Sequence, residues 1–297
     1  MTDFRTRLRE GPPLLLDAAM GTELQRRGAD TRLPLWSARA LVDDPALVRT
    51  IHSEEVAAGA EVLTANTFRT HRRTLATGGL GKRSRELTAL AVRLARRATE
   101  NADREVFVAG SLSPLEDCYR PDLVPDDEAL DREHREQAAS LAAAGVDLIL
   151  LETHNTVREL ATAAGAAKET GLPFVASIVT DGMGRLLSGE PIEDAVRALE
   201  ALRADALSIN CVPAARLDSD LARLAEAAPG VPLAAYGNLG LPADDRGWAF
   251  TEELSAPACA EHTRSWLATG ARLVGGCCGT TAAHTAALRH LLDAQYA

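Results

Sequence analysis

"VDLILLETHNTVRELATAAGAAKETGLPFVASIV", residues 146–179, decides the fold. Its ends, "VDLILLE" and "PFVASIV", are short apolar runs without strict polar alternation, the pattern of strands buried on both faces. "TVRELATAAGAAKETG" between them is an amphipathic helix candidate. Strand, helix, strand in that order predicts two parallel strands joined by a right-handed crossover. The same unit recurs in both directions. "PLLLDA", "EVLTAN" and "VFVAGS" precede it, and "ALSINC", "VPLAAYG" and "RLVGGC" follow.

Helix candidates fill the intervals. "DDPALVRTIHSEEVAAG" and "DDEALDREHREQAASLAAAG" open on acids and stop at Gly59 and Gly145. "PIEDAVRALEALRA", "AARLDSDLARLAEAAPG", "APACAEHTRSWLATG" and "TAAHTAALRHLLDAQ" continue the series. Eight strands alternating with eight helices in 297 residues predict an α/β protein, a single-domain (β/α)8 TIM barrel over residues 1–297. A doubly wound open sheet is the alternative. No linker rich in Pro, Gly or Ser divides the chain, and "YGNLGLPADDRGWAFTEELSAP" reads as a loop after the seventh strand.

Composition narrows the partners. The net charge is −10, from 32 Lys+Arg against 42 Asp+Glu, which gives no attraction for nucleic acid or an anionic membrane. No apolar run is long enough for a signal peptide or a membrane span, so a cytoplasmic location and small-molecule substrates are expected. "GGLGKRS" lacks the phosphate-loop spacing, and no GxGxxG follows the first strand.

A barrel of this kind places its site at the C-terminal strand ends. Those ends carry Asp17, Thr64, Asn66, Ser111, Glu152, Asn210, Cys211, Asn238, Cys277 and Cys278. Adjacent side chains on a strand face opposite ways, so Cys277 and Cys278 share a direction only if the backbone turns there. Gly275, Gly276 and Gly279 around them allow such a turn. With Cys211 they would form a three-thiolate set suited to Zn2+, with a fourth position left open. Cu(I) or an iron–sulfur cluster, a vicinal disulfide switch and simple burial are the alternatives. Cys118 and Cys259 carry no motif and read as structural or incidental, Cys259 on a helix face.

"LLLDAAMGTELQRRG", "EVLTANTF", "LILLETH", "SINC" and "VGGCCGTT", in that order from about Pro13 to Leu292, resemble the homocysteine S-methyltransferase family. This family includes S-methylmethionine- and betaine-dependent enzymes and the homocysteine module of cobalamin-dependent methionine synthase. The resemblance implies a homocysteine-binding barrel that methylates the thiol at zinc, giving methionine. It implies Cys211, Cys277 and Cys278 as catalytic zinc ligands, with Asn238 able to take the fourth position when substrate is absent. Asp17 and Glu152 match the acids that hold the substrate amino group, and backbone near Ala18, Ala19 and Met20 would take its carboxylate. For Asp17 the alternative is a cap on the helix starting near Gly21; for Glu152 it is an ion pair within the barrel. Thr64, Asn66 and Ser111 join the expected substrate contacts.

Trp36 is a candidate donor contact, since aromatic faces attract cations; packing under the first loop is the alternative. One departure stands out. The betaine enzyme has a tyrosine shortly after its second strand that can approach the zinc, and "NTFRTH" has Arg69 there. Arg69 is expected to point away or to pair with Glu23 or Glu61. The chain also stops after its eighth helix, without the extension that links betaine-enzyme subunits, so a monomer or small homo-oligomer is expected. Together these favour a sulfonium donor, S-methylmethionine or S-adenosylmethionine, over betaine. A different thiol or selenol acceptor, or a redox or metal sensor built on the vicinal cysteines, are the competing functions.

Overall fold

Asp126 accepts a hydrogen bond from the Ala129 N–H to open the helix Asp127–Ala144, and Gly145 closes it at φ +83. The strand that follows carries Leu148, Ile149, Leu150 and Leu151, none of them exposed. Repetition of this unit builds the molecule. The computed structural model describes residues 3–243, 247–249 and 255–296.

Eight parallel strands form one sheet: β1 (Leu14–Leu15), β2 (Val62–Ala65), β3 (Phe107–Leu112), β4 (Leu148–His154), β5 (Phe174–Ile178), β6 (Ala206–Pro213), β7 (Leu233–Asn238) and β8 (Ala271–Gly276). Their spatial order is β1-β8-β7-β6-β5-β4-β3-β2, each parallel to its neighbour. A parallel bridge between Leu16 and Val62 brings the two ends together, with Glu61 N–H on Leu15 O at 2.8 Å and Asp17 N–H on Val62 O at 3.0 Å. The sheet therefore closes as a TIM barrel, and the doubly wound alternative is excluded.

The helix after β2, Ser84–Thr99, completes the outer ring. Leu87, Ala91, Leu94 and Ala95 form its buried face at helical spacing. Side chains inside the barrel make one apolar cluster, including Leu16, Val62, Leu148, Leu150, Val175 and Leu273. The faces between strands and helices make a second, larger one.

The N-terminal helix Phe4–Glu10 lies across the barrel's lower end. Its Phe4 and Leu8 join the inner cluster, and Phe4 meets Phe107 edge-on with ring centroids 5.4 Å apart. Arg5 pairs with Asp205 at 2.9 Å and Arg7 with Glu61 at 2.7 Å, both acids standing just before a strand begins.

The segment after β7, expected as a loop, builds a short antiparallel hairpin from Leu241–Ala243 and Gly247–Ala249. Trp248 anchors it, donating from its indole N–H to Leu239 O at 2.9 Å. The rest of that expected loop, 244–246 and 250–254, lies outside the described residues. Among the described residues no helix is long and apolar enough to cross a membrane.

Candidate active site

Two bulges shape the upper rim. Between Leu151 and His154 β4 takes one residue more than β5, and between Asn210 and Pro213 β6 takes one more than β7. Thr153 sits at φ +61 and Cys211 at φ +55, values that non-glycine residues seldom adopt. The Asn210 side chain ties the bulges together. Its Oδ1 accepts the Thr153 N–H and its Nδ2 donates to Thr153 Oγ1, both at 2.9 Å. Behind Cys211, Asn238 Nδ2 donates to the Cys211 carbonyl at 3.0 Å. Strained backbone held by surrounding bonds is typical of sites that aim a side chain.

The vicinal cysteines leave the strand as the sequence requires. β8 ends at Gly276, Thr280 N–H returns to Cys277 O at 3.1 Å, and Leu239 N–H donates to Cys278 O at 2.7 Å. Of the three flanking glycines, Gly279 supplies the positive dihedral, φ +88. Gly275 and Gly276 serve by closeness instead. A Cβ at Gly275 would meet Leu16 Cβ at 2.6 Å, and one at Gly276 would meet the Thr280 side chain.

The Sγ atoms of Cys211, Cys277 and Cys278 come within 4.8 Å of one another, with Cys211 and Cys278 at 3.7 Å. All three thiols are free. Hydrogen bonds from Cys277 and Cys278 hold Cys211 well below the usual thiol range, and Tyr119 adds to this. The bonds Cys277 and Cys278 make to Cys211 hold both of them above that range.

Two buried carboxylates stand in the same cavity. Asp17 accepts from Thr64 N–H at 2.8 Å and from Thr64 Oγ1 at 2.9 Å. Burial and the nearby charge of Glu55 raise its pKa well above the ordinary value despite these bonds. Glu152 accepts from Ser111 Oγ, and burial pushes its pKa to about 7. Among the described residues neither acid has an ion-pair partner. Glu152 is thus not part of a barrel ion pair. Asp17 is not a helix cap either, because the helix Met20–Arg26 begins at Ala19 without a side-chain cap.

The cavity encloses about 470 Å3 and is lined by Asp17, Ala18, Ala19, Met20, Trp36, Thr64, Asn66, Ser111 and Glu152 together with the three cysteines. Asn66 donates its Nδ2 to Ser37 O at 2.9 Å, so its amide braces the wall. The Ala18 N–H is already committed to Glu55 at 3.2 Å. Trp36 packs on the first turn of the Met20–Arg26 helix: a Cβ at Gly21 would lie 2.3 Å from the indole nitrogen. Asn238 is outside the lining, and its Oδ1 is buried without a partner.

Arg69 corrects an expectation. Glu23 pairs with Arg27, and Glu61 pairs with Arg7 and Arg289, so neither holds Arg69. Arg69 stays in the cavity wall, over the Phe68 ring at 5.3 Å, and donates to Glu116 O at 3.0 Å.

The sequence did not mark Tyr119, Tyr236 or Glu55. Tyr119 Oη donates to Cys211 Sγ at 3.1 Å, and Tyr236 Oη lies 2.8 Å from Ser177 Oγ. Tyr236 stands on β7, whose pattern "LAAYGN" could have flagged it as the one hydroxyl in an apolar strand. Nothing local flags Tyr119 or Glu55. Cys118, expected to be structural or incidental, also lines the cavity, whereas Cys259 is buried on the Ala256–Ala268 helix as expected. Three thiols suit a soft metal, and two unpaired buried acids suit a cation.

The homocysteine S-methyltransferase family model matches residues 14–292. A homocysteine S-methyltransferase from Escherichia coli is 34% identical over 93% of this chain and 94% of its own length. The homocysteine S-methyltransferase YbgG from Bacillus subtilis is 30% identical over 91% of each chain. A crystal structure of the homocysteine methyltransferase MmuM from Escherichia coli in its metallated form superposes with a TM-score of 0.84 at 32% identity, covering 97% of this chain and 99% of that one.

Proposed function

The chain belongs to the homocysteine S-methyltransferase family, and on that premise we propose that it methylates the sulfur of homocysteine, giving methionine, from a sulfonium donor at a zinc site made by Cys211, Cys277 and Cys278. The observation that carries this reading is the convergence of three free thiols within 4.8 Å on a cavity that also holds two unpaired buried carboxylates. The donor set fits the metal. Zn–S bonds of about 2.3 Å in tetrahedral array place sulfurs about 3.8 Å apart, close to the 3.7 Å between Cys211 and Cys278. Asn238 Oδ1, a buried acceptor without a partner behind Cys211, suits the fourth position of the resting centre. When bound, zinc would lower the pKa of the substrate thiol and supply it as a thiolate at neutral pH.

The chain's own groups do the rest. Asp17 and Glu152 bind the substrate ammonium, whose charge offsets the burial that raises the pKa of both carboxyls. Thr64 and Ser111 orient the two carboxylates through their hydroxyls. The substrate carboxylate lies at the backbone of Ala19 and Met20. Ala18 is engaged by Glu55, so the uncapped amides at the start of the Met20–Arg26 helix remain for it.

The homocysteine sulfur attacks the donor methyl carbon. The carbon–sulfur bond of the donor breaks with its electron pair passing to the donor sulfur, and the sulfonium leaves as a neutral thioether. Opposite charges cancel as the reaction proceeds, so a water-poor cavity favours the transition state. No base is required at this step. Trp36, fixed against Gly21, offers a ring face to the cationic donor.

The test is metal content after purification under reducing conditions, with homocysteine methylation assayed in parallel, for the wild type and Cys278→Ala. About one zinc per chain in the wild type, with metal and turnover both lost in the variant, is expected. A metal-free wild type with a reversible Cys277–Cys278 disulfide would overturn the reading in favour of a redox sensor.

A further inference from the structure

Tyr119 reaches the thiol cluster from the segment between β3 and the Asp127–Ala144 helix, 92 residues from Cys211 in sequence. That segment is braced from several sides. Ser113 Oγ donates to Phe68 O at 2.5 Å, and the Leu115 N–H donates to Glu159 Oε1 at 2.8 Å. Arg69 donates to Glu116 O at 3.0 Å, while Arg73 pairs with the Glu116 carboxylate at 2.9 Å. Asn155 Nδ2 donates to Cys118 O at 2.9 Å, and the Tyr119 N–H is held by Asp117 Oδ1 at 2.9 Å. Side chains from the segments after β2 and β4 thus fix the backbone from which the phenol projects.

Cys211 is also the cysteine that most needs an outside contact. Cys277 and Cys278 are set by a glycine turn with its own backbone bonds, whereas Cys211 sits at φ +55 in a strand bulge. Asn238 fixes the Cys211 carbonyl but not its sulfur. A tyrosine hydroxyl 3.1 Å from a sulfur is an O–H donor, and toward Cys211 it donates.

We propose that Tyr119 is a positioning residue of the metal centre: its hydroxyl donates to Cys211 Sγ, orients that sulfur toward Cys277 and Cys278, and draws charge from it. This rests on the proposed assignment of Cys211 as a metal ligand. Arg69 and Asn155 then act one step further out, holding the segment that carries the phenol. Outer contacts of this kind typically change metal affinity by about 10- to 100-fold when removed.

The experiment compares wild type, Tyr119→Phe and Tyr236→Phe. Zinc affinity is read by competition with a chromophoric chelator, and the sulfur-to-cobalt charge-transfer band is read after Co(II) substitution. Tyr119→Phe should bind zinc about 10-fold more weakly or worse, with the band moved to lower energy because the sulfur has lost a donor. Tyr236→Phe removes a hydroxyl from the same cavity that bonds Ser177 and Glu152 but no sulfur, and should leave both readouts unchanged. Fluorotyrosine placed at position 119, a stronger donor of nearly the same size, should move the band to higher energy, a result no misfolded protein would give. Wild-type affinity and band in Tyr119→Phe, or equal changes in Tyr236→Phe, would overturn the inference while leaving the metal site intact. A wild type that takes no zinc would overturn the metal assignment and this inference with it.

Discussion

Glu55 is a buried carboxylate beside another. It accepts from the Ala18 N–H and from Thr285 Oγ1 at 2.6 Å, yet burial pushes its pKa from 4.5 to about 7. A folded-state pKa above the unfolded value means that the folded form binds the proton more tightly. Stability from this group is therefore complete below about pH 4.5 and lost as pH rises through 7. Glu55→Gln keeps an acceptor oxygen and removes the charge. It should match the wild type in thermal unfolding at pH 4 and exceed it at pH 8, by at most about 3 kcal/mol. Glu152 titrates in the same range but faces the substrate. It is neutral below about pH 7 and charged above, so it pairs with an ammonium only on the alkaline side. In the wild type KM for homocysteine should fall between pH 6 and 8. Glu152→Gln should lose that component and raise KM at pH 8 about 10-fold or more, with bound metal unchanged. An unaltered KM in steady-state assays would remove Glu152 from the substrate site.

At the scale of elements, the β8 turn is the most exacting piece. Gly279 has φ +88, and a Cβ there would lie 1.8 Å from Leu239 O. Gly279→Ala should destabilise the fold by more than about 1 kcal/mol in denaturant titration and lower metal content in the same preparation. This turn was legible in "GGCCGTT", because two adjacent cysteines facing one way demand a break in the strand. The eight strands were legible too, since burial on both faces leaves continuous apolar runs. The bulges were not. The runs "VDLILLE" and "ALSINC" stop at Glu152 and Cys211, short of the strand ends at His154 and Pro213, and an extra residue in a ladder leaves no compositional mark. Glu55 escaped because charge on an amphipathic helix reads as its solvent face; here the Pro45–Ala57 helix turns that carboxylate inward to Ala18. Tyr119 escaped because its contact with Cys211 exists only after the barrel has brought separate segments together.

At the scale of the whole molecule, the cavity bears on the choice of donor. The cavity combines a fixed indole, Trp36, with a guanidinium, Arg69, that is tied to backbone rather than to an acid. A sulfonium gives up its methyl group more readily than a quaternary ammonium. The Arg69 charge repels the cationic centre of either donor, so leaving-group ability decides between them. S-Methylmethionine should therefore be turned over far faster than betaine at equal concentration, a comparison read from methionine formation. Comparable rates would mean that leaving-group ability does not set the choice of donor.

The Phe4–Glu10 helix has a consequence for traffic. With Phe4 and Leu8 stoppering the lower end and the inner leucines filling the middle, the cavity is closed from below. Cys277 packs against that filling and forms part of the floor, while Leu33 stands exposed at the lip. Whatever docks at the floor goes in first, and the second guest closes the way out behind it. An inert mimic of the donor should accordingly act as an uncompetitive inhibitor toward homocysteine, queueing above it and sealing it in.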